Sequence, residues 1–451
     1  MTRLKPWLIA GLLALSPLSG QAQSVTLSPV QMHQTARAAL AAHNPALALA
    51  LADALLKVSP DQFGILILKS RAERDLGKFS AARKSARRAW KLAKTPNAKF
   101  AASLITAQAL SSAGSKTRAQ IWLRRASDHA TTPAQQEQLR RDFNYVRATN
   151  PWRVNLGFGM NPSSNVNGGS SKDTITLFGF PFALSDDAKA LSGFQAFATA
   201  DISYRLKETQ RSRTSLGFQA YHRETWLSDD AKEAAPTAKG GDFRYTSAAL
   251  TFKHQHIISN KGTRLDLSAR LGRNWYGNAP LSNFAGLGAD VHWRLSAGKR
   301  LSLRTRFDLQ DHQDDDTPNT YIGSLGVRYS LPALGHRWTL SGDYQQSFSE
   351  NLSREYKEFR AGVDVALGKP IAGMDVSMGV QASTRSYDVS RYAADGRHDT
   401  SIEANAAITL NTLGHLGFSP VVTLRHRHTN SNVSLYSTNE TALGLSLTSN
   451  F

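Results

Sequence analysis

The chain of 451 residues contains no cysteine, which excludes a disulfide framework, a thiolate metal site and a thiol nucleophile. Acidic residues are scarce as well, with 35 Asp and Glu against 54 Lys and Arg and a formal net charge of +19. Beyond the N-terminus no apolar run approaches the roughly 20 residues that a transmembrane helix needs. The basic excess is uneven. Between Gln23 and Asn150 there are 20 Lys and Arg against 7 Asp and Glu, so most of the charge belongs to the first third of the chain.

What is present begins with Arg3 and Lys5, an apolar run from Trp7 to Leu15, and Gly20-Gln21-Ala22. This pattern reads as a secretory signal peptide over residues 1–22, cleaved after Ala22. Its apolar run is too short to anchor the chain, and no cysteine follows it to carry a lipid. Export also argues against nucleic acid as a partner.

Residues 23–149 have helical periodicity and repeat. Gly77, Ala82, Arg87-Arg88-Ala89, Thr95 and Pro96 recur as Gly114, Ala119, Arg124-Arg125-Ala126, Thr132 and Pro133, displaced by 37 residues. Small residues where helices approach, with proline closing each pair, predict a helical solenoid. The spacing of Gly77, Phe79, Ala82 and Ala89 resembles tetratricopeptide repeats, with a longer period and without the Trp/Leu-Gly signature, and implies a periplasmic binder of peptide or protein. Arg83, Arg87 and Arg88, with Arg124 and Arg125 at the equivalent repeat position, form a candidate basic face for an acidic partner or anionic headgroups. A solvated helix face is the plainer alternative.

From residue 150 the period changes to two. Trp152, Val154, Leu156, Phe158 and Met160 share one face against Arg153, Asn155, Gly157 and Gly159. Fourteen such segments are expected, starting near 152, 193, 213, 243, 262, 284, 300, 320, 336, 355, 373, 400, 417 and 439. An even count suits a closed bacterial barrel. Connections after odd strands are expected to be long and those after even strands short. The inward positions carry Gly, Ser, Thr, Asn and scattered Arg and Asp, which predicts a polar, wet lumen. The expected architecture is therefore a TPR-like helical solenoid followed by a 14-stranded antiparallel outer-membrane β-barrel over 150–451. The last strand alternates Leu443, Leu445 and Leu447 on one face and ends on Phe451. It resembles the C-terminal signal of outer-membrane barrels, which implies handling by the barrel assembly machinery.

The first long connection, residues 161–192, differs from the others. It holds Asn165 and Asn167, then the apolar stretch with Phe178, Phe180, Phe182 and Leu184, then Asp187. An exposed loop seldom carries so apolar a segment. A gate or plug folded into the lumen and a small packed hairpin on the rim are both open readings.

A search for chemistry finds little. His254 and His256, like His426 and His428, lie two apart on strands, but each pair continues an outward apolar face and reads as interfacial. Asp314-Asp315-Asp316 fits no EF-hand spacing. Neither catalytic residues nor a metal or cofactor site is expected, and the chain is not expected to be an enzyme.

The order of these parts is more specific than any one of them. An exported TPR-like region, Pro151-Trp152 opening a barrel, Ser164-Asn165-Val166-Asn167, and Phe182-Ala183-Leu184 leading into Asp187-Ala188 and Ser192-Gly193 together resemble the surface lipoprotein assembly modifier family. The resemblance implies a Gram-negative outer-membrane translocation factor. Its periplasmic helices, with both termini, would capture lipoprotein or related cargo, or a periplasmic chaperone. Its barrel would be the conduit. An exopolysaccharide export porin and an outer-membrane lipid hydrolase are the alternatives.

Overall fold

The fold is read from a computed structural model and described for residues 27–449 except 178, 261, 315 and 316. The signal-peptide segment, Phe178 and Phe451 lie outside the described residues. Seven helices come first among them: α1 (Pro29–Ala41), α2 (Pro45–Val58), α3 (Phe63–Asp75), α4 (Phe79–Leu92), α5 (Pro96–Ser112), α6 (Lys116–Ser127) and α7 (Pro133–Thr149). Local chemistry fixes their starts. Ser28, Asn44, Thr95 and Thr132 cap α1, α2, α5 and α7, each immediately before a proline at the first helical position, where a missing N–H costs nothing. The prolines expected to close helix pairs, Pro96 and Pro133, therefore open the following helix instead.

Gly77 and Gly114 have φ of +74° and +78°, the left-handed conformation that ends α3 and α5 and lets the chain turn back as α4 and α6. His43 takes the same conformation, φ 55°, between α1 and α2. Alanines occupy the places where paired helices meet: Ala36, Ala48, Ala72, Ala82, Ala86 and Ala119 are fully buried. The chain divides after Ala93 into two compact units. The first holds α1–α4. In the second, α5–α7 share a core of Phe100, Leu110, Leu123, Leu139 and Phe143, and the barrel follows.

The barrel strands are β1 (Trp152–Ser163), β4 (Gly193–Glu208), β5 (Ser212–Leu227), β6 (Tyr245–Ile257), β7 (Arg264–Tyr276), β8 (Ala279–Arg294), β9 (Arg300–His312), β10 (Thr320–Ala333), β11 (His336–Ser349), β12 (Lys357–Ala366), β13 (Met374–Tyr387), β14 (Arg397–Leu410), β15 (Phe418–Ser431) and β16 (Thr438–Ser449). A two-stranded hairpin, β2 (Thr174–Leu177) with β3 (Phe180–Ala183), lies in the first connection. The fourteen close as an antiparallel barrel in sequence order, with β1 meeting β16, as the fold class expected. Alternate residues form an exposed apolar outer wall, with Leu250, Leu271, Leu287 and Phe359 each about 60% exposed. Burial against water cannot explain such a surface; hydrocarbon around the barrel does.

At the end where β1 starts and β16 stops, four turns share one device. Ala297-Gly298, Leu334-Gly335, Ala372-Gly373 and Leu416-Gly417 have positive φ at both residues, as type I′ hairpin turns require. At the opposite end the connections differ from expectation. Residues 274–283, read as a loop, instead continue β7 and β8 around Gly277-Asn278, because Trp275 and Tyr276 stay in the ladder. The bulk at that end comes mainly from the first two connections, 164–192 and 228–244.

Candidate functional site

Three parts of the barrel carry its polar and apolar specialisations, and the first is the loop between β1 and β4. Asn165 and Asn167 tie it together. The Asn165 side chain donates to the Gly169 carbonyl at 2.8 Å and accepts from the Gly169 N–H at 2.9 Å. Asn167 Nδ2 donates to the carbonyls of Lys189 (2.7 Å) and Asp187 (3.0 Å), and its Oδ1 accepts from Leu191 N–H at 2.9 Å. These bonds join the two ends of the loop. Val166 and Leu191 then pack with Leu227 and with Ala231 and Ala235 of the second connection, where a short helix, α8 (Asp229–Ala234), is capped by Ser228. On its other side the loop reaches the last connection: Ser170 Oγ donates to Ser434 O at 2.8 Å, and Ser434 Oγ donates to Thr174 O at 2.7 Å. The apolar stretch forms the β2–β3 hairpin. Ile175 is buried in it, while Phe180 and Phe182 are exposed and Leu184 is half-buried. Asp187 stays exposed in a single helical turn.

The second part is the luminal wall. Arg270 donates to Asp308 at 2.7 Å across the intervening strand β8. Gly286 lies between them, and a Cβ there would sit 2.1 Å from the Asp308 carboxylate, so glycine makes room for the pair. Glu358 accepts from Arg360 and Arg385, each at 2.6 Å. Arg427 pairs with Glu403 and Arg425 with Glu440; Glu358, Arg385, Glu403 and Arg427 line a polar cavity of about 170 Å³. The lumen thus sets these cations against carboxylates. It is polar and wettable, but these arginines do not form a row of free positive charge for an anionic polymer.

The third part is at the end with the tight turns, where α6 docks on the barrel. The Arg124 guanidinium stacks over the Phe418 ring at 4.2 Å and donates to Gly417 O at 3.0 Å and to Ser449 Oγ at 2.8 Å. Four residues on, Asp128 accepts from Leu416 N–H at 2.6 Å and lies 3.1 Å from His415 Nδ1. Partial burial against this surface pushes the Arg124 guanidinium below its ordinary value, with Arg147 adding to the effect. The remaining basic candidates are distributed differently. Arg87 and Arg88 are exposed on α4, with Arg88 2.7 Å from Asp61, and Arg83 is half-buried there. Arg125 stacks over Trp122 at 4.7 Å. Repeat position alone suggested that Arg124 belongs to an open basic face; its guanidinium is instead engaged by the barrel. The signal that could have found this is Leu416-Gly417-Phe418, a turn ending in an aromatic residue beside the last strand.

His254 and His256 stack side by side at 6.3 Å, and His254 Nδ1 contacts Thr214 Oγ1 at 2.9 Å. His426 Nδ1 contacts Thr441 Oγ1 at 2.8 Å, and His428 is exposed. Among the described residues no group of three or more His, Asp or Glu could hold a metal ion. Leu443, Leu445 and Leu447 of the last strand are exposed on the outer wall.

Several solved outer-membrane barrels are similar to about two thirds of this chain at low identity. OccAB1 of Acinetobacter baumannii is 9% identical, with a TM-score of 0.37, covering 66% of this chain and 97% of its own. CdiB of Acinetobacter baumannii is 11% identical at 0.36, covering 65% and 59%. A loop-deletion mutant of OmpT, an outer membrane protein of Vibrio cholerae, is 9% identical at 0.32, covering 66% and 98%. No curated protein matches the sequence. The family model of the surface lipoprotein assembly modifiers matches residues 152–451, the whole strand region. With that match over a closed, apolar-walled barrel of fourteen strands, the chain belongs to the surface lipoprotein assembly modifier family, outer-membrane proteins with a part in surface lipoprotein assembly.

Proposed function

We propose that the protein moves lipoproteins or related protein cargo across the outer membrane, with its helices receiving cargo or a carrier chaperone on the periplasmic side and its barrel serving as conduit. The helices lead into β1 at the end with the type I′ turns, and short turns face the periplasm in bacterial barrels. Both termini and the helical region then lie in the periplasm. The observation that carries the reading is the docking of α6 on the end of β16 and on the β14–β15 turn through Arg124 and Asp128. A helical segment that receives cargo can thereby bias the strand that closes the barrel. Exposed Arg87 and Arg88 on α4 offer an acidic cargo or chaperone its first contact, a screened and steering interaction. The β2–β3 hairpin, with Phe180 and Phe182, is the gate element at the far side. The reaction needs no cofactor and no covalent step.

The test is co-expression with lipoproteins from the same organism, scoring protease accessibility on intact cells. The full chain is compared with one lacking residues 23–93 and with Arg124→Ala/Asp128→Ala. The expected result is surface exposure of a lipoprotein with the full chain, and loss with either variant. If no lipoprotein becomes accessible with the full chain, the translocation reading is wrong.

A further inference from the structure

Strand pairings in this barrel run along most of each strand, as β1 does with β4 from Trp152–Tyr204 to Ser163–Gly193. The closure of β1 on β16 is different: it is paired at three places, Gly159–Ser446, Met160–Leu445 and Ser163–Ala442. Among the described residues Phe158 and Gly157 have no β16 partner, although the register would set them against Leu447 and Thr448; those two ladder to Pro420 and Ser419 of β15. The sequence supplies the reasons. Pro162 has no N–H to give to the ladder and thins it even between the paired Met160 and Ser163, and Gly157 weakens the strand where the pairing stops. Inside hydrocarbon there is no water to bond the released groups, so this is the line along which the wall parts with least loss.

The long-loop end of the same seam is fastened. Ser164 N–H donates to Thr441 O at 3.0 Å and Thr441 N–H to Ser164 Oγ at 2.9 Å, and the first loop is tied above it to the last connection. A groove of about 470 Å³ lies beside this fastening, lined by Pro162, Phe194, Trp226 and Leu443.

We infer that the β1–β16 seam is a lateral slot joining the lumen to the bilayer, through which the acyl anchor of a lipoprotein stays in lipid while its polypeptide passes through the lumen. The inference rests on the translocation reading above. The anchor enters at the open periplasmic half and moves outward along the seam. The fastening at Ser163, Ser164 and Thr441 opens last and releases it into the outer leaflet, with the apolar groove receiving the acyl chain on the way.

The experiment locks the slot. The chain lacks cysteine, so Ser163→Cys/Ala442→Cys introduces one disulfide across the last pair of the seam. Ser330→Cys/Thr339→Cys places an equivalent bond across the fully paired β10–β11 ladder, where the two hydroxyls are 3.4 Å apart. Each variant is reconstituted in liposomes and offered an acylated lipoprotein and the same cargo with its acyl-accepting cysteine replaced by serine. The expected result is at least a tenfold loss of delivery for acylated cargo with the seam locked, recovery on reduction, unchanged delivery of unacylated cargo, and no loss with the control disulfide. Normal delivery of acylated cargo through the locked seam overturns the slot while leaving translocation intact. Equal loss of both cargoes overturns it as well, because the lock would then act on the lumen. If the unlocked chain delivers neither cargo, the translocation reading fails and the slot with it.

Discussion

Leucine means opposite things in the two halves of this chain. In the helices Leu66, Leu110 and Leu123 are at most 2% exposed, whereas on the strands Leu250, Leu271 and Leu287 are 60% exposed or more. The helical region buries its apolar side chains against alanine and is assembled by the hydrophobic effect in water. The barrel presents its leucines outward and keeps ion pairs such as Arg270–Asp308 and Arg385–Glu358 within. Its wall is stabilised by a closed ladder of backbone hydrogen bonds and by a solvent that is itself apolar. Residue type alone therefore does not say which side of a wall a position faces; its period and the solvent do.

The largest effect is expected where this inversion is strongest. Leu287 lies midway along β8 between Ala269 and Phe307. Leu287→Arg should cost about 2–4 kcal/mol of folding into a bilayer, the scale for a cation at mid-membrane depth on a barrel's lipid face. Urea-dependent refolding into liposomes reads the cost. A change within about 0.5 kcal/mol, as for an ordinary water-exposed position, would break the comparison.

Most of the architecture was legible because period-two alternation reports burial in lipid as faithfully as burial in a core. Strand starts at 152, 193, 300, 320 and 336 coincide with the expected ones. What escaped had physical reasons. The first helix pair turns on His43, φ 55°, where the repeat offers glycine, so composition hid a turn that geometry repeats. The short turns use Ala-Gly and Leu-Gly rather than Asn-Gly, which weakens the usual hairpin signal. Arg124 and Arg87 occupy equivalent places in the repeat, but only a contact 292 or more residues away in sequence shows that Arg124 is engaged by the barrel. Such a contact leaves no local trace. The luminal pairs were half visible: the inward positions carry scattered charges, but which of them touch, as Arg270 and Asp308 do across Gly286, leaves no local trace.

A smaller effect separates the loop from the wall that carries it. Asn167→Ala removes one acceptor and two donated bonds that join the ends of the first loop. About 1–3 kcal/mol of local stability should be lost, the usual cost of leaving buried backbone groups without a partner. Trypsin should then cut at Lys172 or Lys189 faster, while the heat-modifiable gel mobility of the folded barrel stays unchanged. If the barrel itself loosens in parallel, loop and wall are one cooperative unit and the contrast between them is false.

The smallest effect tests the water-solvated side by its pH dependence. Glu73 on α3 has a side chain only 6% exposed, accepts from Ser85 Oγ at 2.7 Å and has Lys69 Nζ at 3.9 Å. Burial holds its carboxyl above the ordinary value, with Ser85 and Lys69 pulling the other way. Below the unfolded carboxyl range both states are protonated and the full stability is present. As pH rises through the folded value the unit must hold a buried anion, and stability is lost. Glu73→Gln keeps an acceptor for Ser85 and removes the titration. Relative to wild type it should gain up to about 1 kcal/mol between pH 4 and 7, the scale of a single hydrogen bond. Helix melting followed at 222 nm on the full chain in detergent would show it. A constant difference between wild type and variant across this range would mean that the Ser85 and Lys69 interactions balance desolvation, and a wild type that gains on the variant as pH rises would mean that they outweigh it, so that α3 and α4 pack around an ion pair rather than around a reluctantly buried acid.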